Sequence, residues 1–379
     1  MIKKKLFTPG PTSVPEEILL EMARPIMHHR TDEFQELSRG VFRDLKYVFQ
    51  TENDVLLIAS SGTGAMEAAV VNLLSPGDKA IVVSAGKFGE RFREIAEAYE
   101  IEIITIEAEW GETVDASRVE ETLRQNPGTA AVFATLCETS TGVSFDIKAM
   151  GKAVSAYKDT VFVVDTVSSL GAVPCMTDEW KIDVVVSGSQ KALMLPPGLA
   201  MISVSEKAWS RIDAGRLPRY YLDLRKYRKA SEKADFPFTM AVTLVCGLKK
   251  SLDIIKERTL EQVWEEHHAR AEAARQAFIS MGLKLFPQAV SDALTAISLP
   301  DSIDGNRLVK FLRTRYGISV AGGQGHLKGK IVRISHLGWQ DEFDVITAIM
   351  AVSIGLREQS WVADAEKGIA AASAVLFNL

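Results

Sequence analysis

The chain has 379 residues, 47% of them hydrophobic and 25% charged, with a formal net charge of -5. That length holds two domains and a large core, and the composition is that of soluble globular material. The charge leaves no basic footprint for nucleic acid, and the 3 cysteines, at positions 137, 175 and 246, lack the number and spacing of a disulfide framework or zinc site, which fits a reducing, cytoplasmic setting.

The start, Met1-Ile2-Lys3-Lys4-Lys5-Leu6-Phe7, is basic but runs into Thr8-Pro9-Gly10-Pro11 without a long apolar core. Neither a signal peptide nor a membrane span is expected there. Prolines up to Pro15 fix φ and remove donors, so residues 1–15 read as a stiff, non-regular arm. Helical spacing begins near Glu16. Pro25 and Met27-His28-His29-Arg30-Thr31 interrupt it, and an amphipathic helix is expected over Asp32–Phe49. Adjacent histidines do not share a helical face as a metal pair would, so an exposed polar turn is expected.

Asp54-Val55-Leu56-Leu57-Ile58-Ala59-Ser60 is the first strong strand, Ser61-Gly62-Thr63-Gly64 a turn, and Ala65 onward a helix. A strand, a glycine turn and a helix start make an anion site, because the backbone approaches closely and unpaired N–H groups point at the ligand. No Gly-Lys-Ser/Thr closes it as in a Walker loop, and Glu67 stands where a dinucleotide fingerprint has its last glycine. The stretch is either a cradle for one phosphate or simply a tight turn.

Lys79–Val83 is the next strand. It leads into Ser84-Ala85-Gly86-Lys87-Phe88-Gly89, where Phe88 either lies flat on a planar ligand or packs in the core. A helix over Glu90–Tyr99, a strand over Glu102–Glu107 and a strand over Ala130–Thr135 continue the alternation, the last running into Leu136-Cys137-Glu138-Thr139-Ser140-Thr141-Gly142. Then come Val161-Phe162-Val163-Val164-Asp165 and Val184-Val185-Val186-Ser187-Gly188-Ser189-Gln190-Lys191. In a parallel sheet these strands all finish at one carboxyl edge, where open α/β sheets bind ligands. Asp165 and Lys191 then emerge together. A lysine delivered by a buried strand loses its water, its pKa falls, and the freed amine attacks a carbonyl. A carboxylate beside it keeps a ring nitrogen protonated, and these are the two roles that pyridoxal phosphate needs. The competing reading is a structural ion pair, with Lys191 reaching solvent.

After Lys191, Pro196-Pro197-Gly198 breaks the chain and Leu199–Val204 returns as a strand. Residues 216–233, dense in Arg, Lys and Tyr, read as a solvated loop on a dimer surface. A helix-rich stretch from Thr243 to about Met281 carries His267 and His268, adjacent again. The larger domain is expected over 16–258. Residues 259–379, with strands near Ala293–Leu299 and Lys330–Ser335 and a helix near Gly305–Tyr316, have the shape of a smaller α+β domain. In it Arg333 alternates against Val332 and Ile334. Its planar fork suits a carboxylate, although a surface arginine is the plainer reading of the strand alone.

Taken together and in this order, SSGTGAMEAA, GKFGER, ETSTG, VDTVSSLGAVP and SGSQKALMLPPG resemble class V (fold type I) pyridoxal-phosphate aminotransferases of the alanine/serine-glyoxylate and serine-pyruvate branch. The likeness runs from TPGPTSVPEEIL to RISHLGW, nearly the whole chain. It implies an α/β fold, with a large domain built on a mostly parallel sheet flanked by helices and a smaller C-terminal α+β domain. It implies Lys191 as the Schiff-base lysine and Asp165 as partner of the pyridine nitrogen of pyridoxal 5'-phosphate. Ser61, Gly62 and Thr63 would hold the phosphate with Gln190. Phe88 would stack on the ring, Val167 would pack on the opposite face, and Thr139 would reach the ring hydroxyl. Arg333 would bind the substrate α-carboxylate, with Gly10 beside it. The site would be shared across a homodimer, Thr239 reaching the other subunit's phosphate. Two positions depart from the pattern: Phe236 stands where relatives carry Tyr, and Phe88 where close relatives often carry Trp. Both put the strength of cofactor binding in question.

The implied reaction is ping-pong transamination between a small L-amino acid, alanine or serine, and a small 2-oxo acid, glyoxylate or pyruvate. Arg333 is the one obvious carboxylate clamp, and Arg30 is the only candidate for a second. The rivals are another class V chemistry, a cysteine desulfurase or β-lyase, and a non-catalytic subunit of the same fold. Desulfurases place a histidine over the ring and a cysteine on a mobile loop, and this chain has Phe88 and no cysteine so placed. The full set of Lys191, Asp165 and Arg333 speaks against a non-catalytic subunit.

Overall fold

The computed structural model describes residues 2–378. Seven strands form one sheet in the order Asp54–Ile58, Ala200–Val204, Val184–Gly188, Val161–Asp165, Ala131–Thr135, Lys79–Ser84, Glu102–Glu107. Neighbours pair in parallel except Ala200–Val204, which runs antiparallel to the strand on either side. These runs are rich in β-branched residues, which suit a pleated surface, and both of their faces are covered. Val163, Val184 and Val186 face one core, with Ala65, Phe92 and Trp209 of three helices. Val164, Val185 and Ala134 face the other, with Leu45, Met150 and Val245. One carboxyl edge therefore collects Ile58, Ser84, Thr135, Asp165 and Gly188, as the alternation led one to expect.

Two helix starts differ from expectation. The helices span Gly62–Leu73 and Lys87–Ala98, so the residues read as turns, Gly62–Gly64 and Lys87–Gly89, are first helical turns. Packing against the sheet outweighs the weak helix propensity of glycine. Residues 216–233 are not simply a solvated loop. Leu224–Ser231 is a helix with Asp223 as its N-cap. The Arg219 side chain is only 3% exposed and donates to the carbonyls of Val71, Leu217 and Ile212 at 3.1, 3.3 and 3.0 Å.

A second, antiparallel sheet has the order Lys284–Leu285, Leu294–Ser298, Ile331–Ser335, Ala321–Gly322. Helices Leu260–Ser280, Gly305–Tyr316, Glu342–Glu358 and Ala365–Phe377 cover it around Phe278, Ile297, Leu308, Val332 and Val352. The N-terminal arm is built into this layer: Lys5–Leu6 pairs in parallel with Ile318–Ser319, and Phe7 joins the same core. Among the described residues, no helix is long and apolar enough to cross a membrane.

Candidate active site

Lys191 leaves the strand Val184–Gly188 through a loop that side chains pin in place. Ser189 Oγ donates to Pro196 O at 2.8 Å and accepts from Leu199 N at 3.2 Å. Thr12 N donates to Gln190 O at 3.3 Å, and Thr12 Oγ1 to Lys191 O at 2.9 Å. The arm thus closes over the loop, and Lys191 Nζ donates to Pro9 O. Gly10 packs so tightly on the Lys191 side chain that a Cβ there would overlap it. Lys191 is only 8% exposed. Burial pulls its pKa down to about 8, Arg333 and Arg91 push the same way, and Cys137 and Asp165 oppose them. An amine in that range is partly unprotonated near neutrality and is a competent nucleophile.

Asp165 ends the neighbouring strand and is paired in register with Val186. Its Oδ1 accepts from Val167 N at 2.7 Å. Burial raises its pKa to about 7, a lift that this hydrogen bond only partly offsets. An acid in such a place ionises fully once a cation lies against it. On the same edge, Ser61 caps the helix Gly62–Leu73, its Oγ accepting from Gly64 N at 3.4 Å. Gly62 lies against Val167, so closely that a Cβ on it would come 2.7 Å from Val167 Cγ2. Gln190 reaches the same spot, with an Oε1 that is buried and has no partner among the described residues.

Phe88 sits in the first turn of the helix Lys87–Ala98, with the Arg91 guanidinium 4.7 Å from its ring centroid. Arg91 Nη1 also donates to Thr63 Oγ1 at 3.3 Å. Thr139 Oγ1 donates to Ser168 Oγ at 2.7 Å, and Ser168 Oγ to Cys137 O at 3.2 Å. Arg333 is buried on the face of its strand away from Val332 and Ile334. Its Nε and Nη2 donate to Gly322 O at 3.1 and 2.8 Å and its Nη1 to Thr139 O at 2.5 Å. Burial lowers its pKa to about 10, and Glu138 acts in the other direction. Those carbonyl anchors aim a guanidinium that has no carboxylate within salt-bridge range among the described residues.

Most of the expected site residues therefore meet at one edge: Lys191, Asp165, Gly62, Thr63, Val167, Gln190, Phe88, Thr139, Arg333 and Gly10. Thr239 does not join them within one chain. It is exposed, and no described hydrogen bond ties it to the Lys191 cluster. Phe236 is a core residue of its own chain, 2% exposed, with ring centroids 6.0 and 5.6 Å from Phe34 and Phe42. Arg30 lies at the surface, 41% exposed, with Nη1 donating to Asp235 Oδ2 at 2.5 Å and to Phe236 O at 2.8 Å. The sequence reading missed Arg91, Ser168 and Glu138. Arg91 lies one helical turn beyond Phe88, a signal that becomes visible only once the helix is known to start at Lys87.

The family model for aminotransferase class-V matches residues 6–346. The chain belongs to that family. The aminotransferase is 41% identical over 99% of its length to a cyanobacterial protein from Synechococcus sp. named soluble hydrogenase, small subunit, covering 98% of it. It is 35% identical to the serine–glyoxylate aminotransferase of Methylorubrum extorquens, over 99% of this chain and 96% of that one. Among solved structures it is similar to ureidoglycine-glyoxylate aminotransferase from Bacillus subtilis, with a TM-score of 0.95 at 29% identity, covering 99% of this chain and 98% of that one.

Family membership implies pyridoxal 5'-phosphate, and the residues of the aminotransferase fit it. The helix start at Gly62, suited to a phosphate, packs on Val167 and lies beside the Gln190 carboxamide, whose NH2 group is a phosphate donor. Asp165 is a buried acid in want of a cation, and Lys191 a buried amine beside it.

Proposed function

We propose that this aminotransferase passes the amino group of a small L-amino acid, alanine or serine, to glyoxylate or pyruvate. The observation that carries the reading is the burial of Lys191 at the sheet edge where Asp165 ends the neighbouring strand, with the anchored fork of Arg333 near enough to act on its charge. Ser61, Gly62, Thr63 and Gln190 would hold the cofactor phosphate. Phe88 and Val167 would flank its ring, Thr139 would take the ring hydroxyl, and Asp165 would face the ring nitrogen. When bound, pyridoxal 5'-phosphate supplies a carbonyl for the amine and a ring that stores the electrons left when the α-proton departs. Arg333 would grip the substrate carboxylate with two parallel hydrogen bonds, and Gly10, lacking a Cβ, admits the Lys191 side chain that packs on it. Lys191 would take the α-proton and return it as general base and acid. Arg333 is the buried, carbonyl-anchored guanidinium at this edge, and a single clamp of that kind favours substrates with one carboxylate.

We place the working form as a homodimer in the cytoplasm. Tyr220 and Tyr221, 74% and 38% exposed, form an aromatic patch with Phe238, and Tyr221 Oη donates to Ala59 O at 3.1 Å, next to the phosphate cradle. Such a patch suits a second subunit, and Thr239 lies beside it in the chain. The 3 cysteines are free and buried, in keeping with a reducing compartment. The larger and smaller domains are taken to divide at Thr259, where two helices meet at a φ of +63°. The test is spectroscopic. Visible absorbance of the purified protein should bleach on adding alanine or serine and return with glyoxylate or pyruvate. A response to aspartate and to neither small amino acid would overturn the substrate assignment, and no response to any donor would overturn the activity.

A further inference from the structure

One fully buried charge at this edge has no part in the chemistry above. Glu138, in the two-residue strand Cys137–Glu138 that follows Ala131–Thr135 and pairs with Val143–Ser144, is 1% exposed. A carboxylate survives such burial only when hydrogen bonds replace its water. Its Oε2 accepts from Phe88 N and Gly89 N at 2.9 and 3.1 Å, and its Oε1 from Ser140 N and Ser140 Oγ at 3.0 and 2.5 Å. Ser140 Oγ in turn accepts from Lys87 N at 3.1 Å. The N–H groups of the first three residues of the helix Lys87–Ala98 thus end on Glu138 and Ser140, about fifty residues away in the chain.

That helix has no cap of its own: Gly86 stands at its N-cap position and offers no side chain. A helix start exposes unpaired N–H groups and partial positive charge, and both favour an anion there. Gly86 is required by the same contact, because a Cβ on it would come 2.5 Å from Glu138 Cδ and Cγ and from Ser140 Oγ. The segment that carries Glu138 also carries Thr139, whose carbonyl anchors Arg333. We propose that Glu138 is a positioning residue for the cofactor: by capping the helix from a distance, it fixes the Phe88 ring against the pyridine and holds the Thr139 carbonyl under Arg333. This rests on the cofactor site proposed above.

The experiment is a double-mutant cycle on cofactor-free protein titrated with pyridoxal 5'-phosphate, read by induced visible circular dichroism and Kd. Glu138→Gln keeps the shape but turns an NH2 group toward one of the two donor pairs. It is expected to weaken binding about tenfold when Phe88 is present and by less than about twofold in Phe88→Ala, because contacting residues couple and independent ones add within about twofold. The induced dichroism should fall in the first background only. Equal losses in both backgrounds, or a lowered Tm with Kd unchanged, would show a merely structural role and overturn the proposal. If Glu138→Gln does not fold, Ser140→Ala is put through the same cycle, since it removes the Lys87 acceptor and leaves the carboxylate. The same inequality supports the proposal, and equal losses overturn it. A parent protein that takes up no cofactor would instead sink the reading of the site itself.

Discussion

Two helices start at the same sheet edge, each beside the cofactor site, and they solve the same problem differently. Gly62–Leu73 is capped from within by Ser61, its own N-cap residue, which takes Gly64 N and leaves the N–H groups of Gly62 and Thr63 for the phosphate we propose there. Lys87–Ala98 has the bare Gly86 there, and its first N–H groups are consumed by Glu138 and Ser140. On the proposed reading, one helix start is left open as a binding site. The other is closed and, as proposed, serves as a mount for an aromatic ring. A helix N-terminus is therefore defined as a site by what the rest of the chain does to it, and glycine at the turn does not distinguish the two.

The largest expected effect removes what both helices serve. Lys191→Ala should abolish the donor-responsive absorbance and lower turnover by roughly 10³-fold or more, the scale of losing a general base and acid. Retention of an alanine-responsive band in that variant would break the assignment. Next comes the open helix start. Gly62→Ala places a methyl 2.7 Å from Val167 Cγ2, and overpacking of about 1–3 kcal/mol, if felt in the bound state, should weaken cofactor binding by about 5- to 150-fold. An unchanged Kd would show that the phosphate is held elsewhere.

A pH series comes third. Asp165, raised to about 7, binds a proton in the folded chain that the unfolded chain has already lost, so its contribution to stability falls as pH rises from the usual carboxylate range to about 7. Lys191, lowered to about 8, does the reverse: above that value the unfolded chain holds the extra proton, and stability rises toward the usual ammonium range. The Tm of cofactor-free protein should therefore show a trough between these limits. Asp165→Asn should remove its acidic flank alone, and a variant trough of the same shape would refute the account. The smallest effect sharpens the comparison. Ser61→Ala should cost about 1 kcal/mol of stability, the usual worth of a local cap. A Tm measurement checks it against Glu138→Gln, which should be the more disruptive because it leaves a buried donor facing other donors.

Much was legible in the chain alone because strands buried on both faces announce themselves as unbroken runs of β-branched residues, and in a parallel sheet they must all end at one edge. Asp165, Lys191 and the glycine turn at Gly62 were found that way. Arg333 came from its alternation with Val332 and Ile334, together with the family resemblance. The exact start of the helix at Lys87 was not legible, since glycine favours a turn locally and only packing decides otherwise. Glu138 was hidden for the same reason: in the chain it is an ordinary charge in a polar loop.

Sequence by itself determined the identity and chemical type of the groups at the edge, since hydrophobic runs and their punctuation are local properties of the chain. Tertiary structure alone decided how those groups are held: the arm over Lys191, Arg91 at Thr63, Glu138 on a helix about fifty residues away, Phe236 in its own core. The physical reason is that capping, desolvation and charge pairing depend on distance in space, which local pattern does not encode.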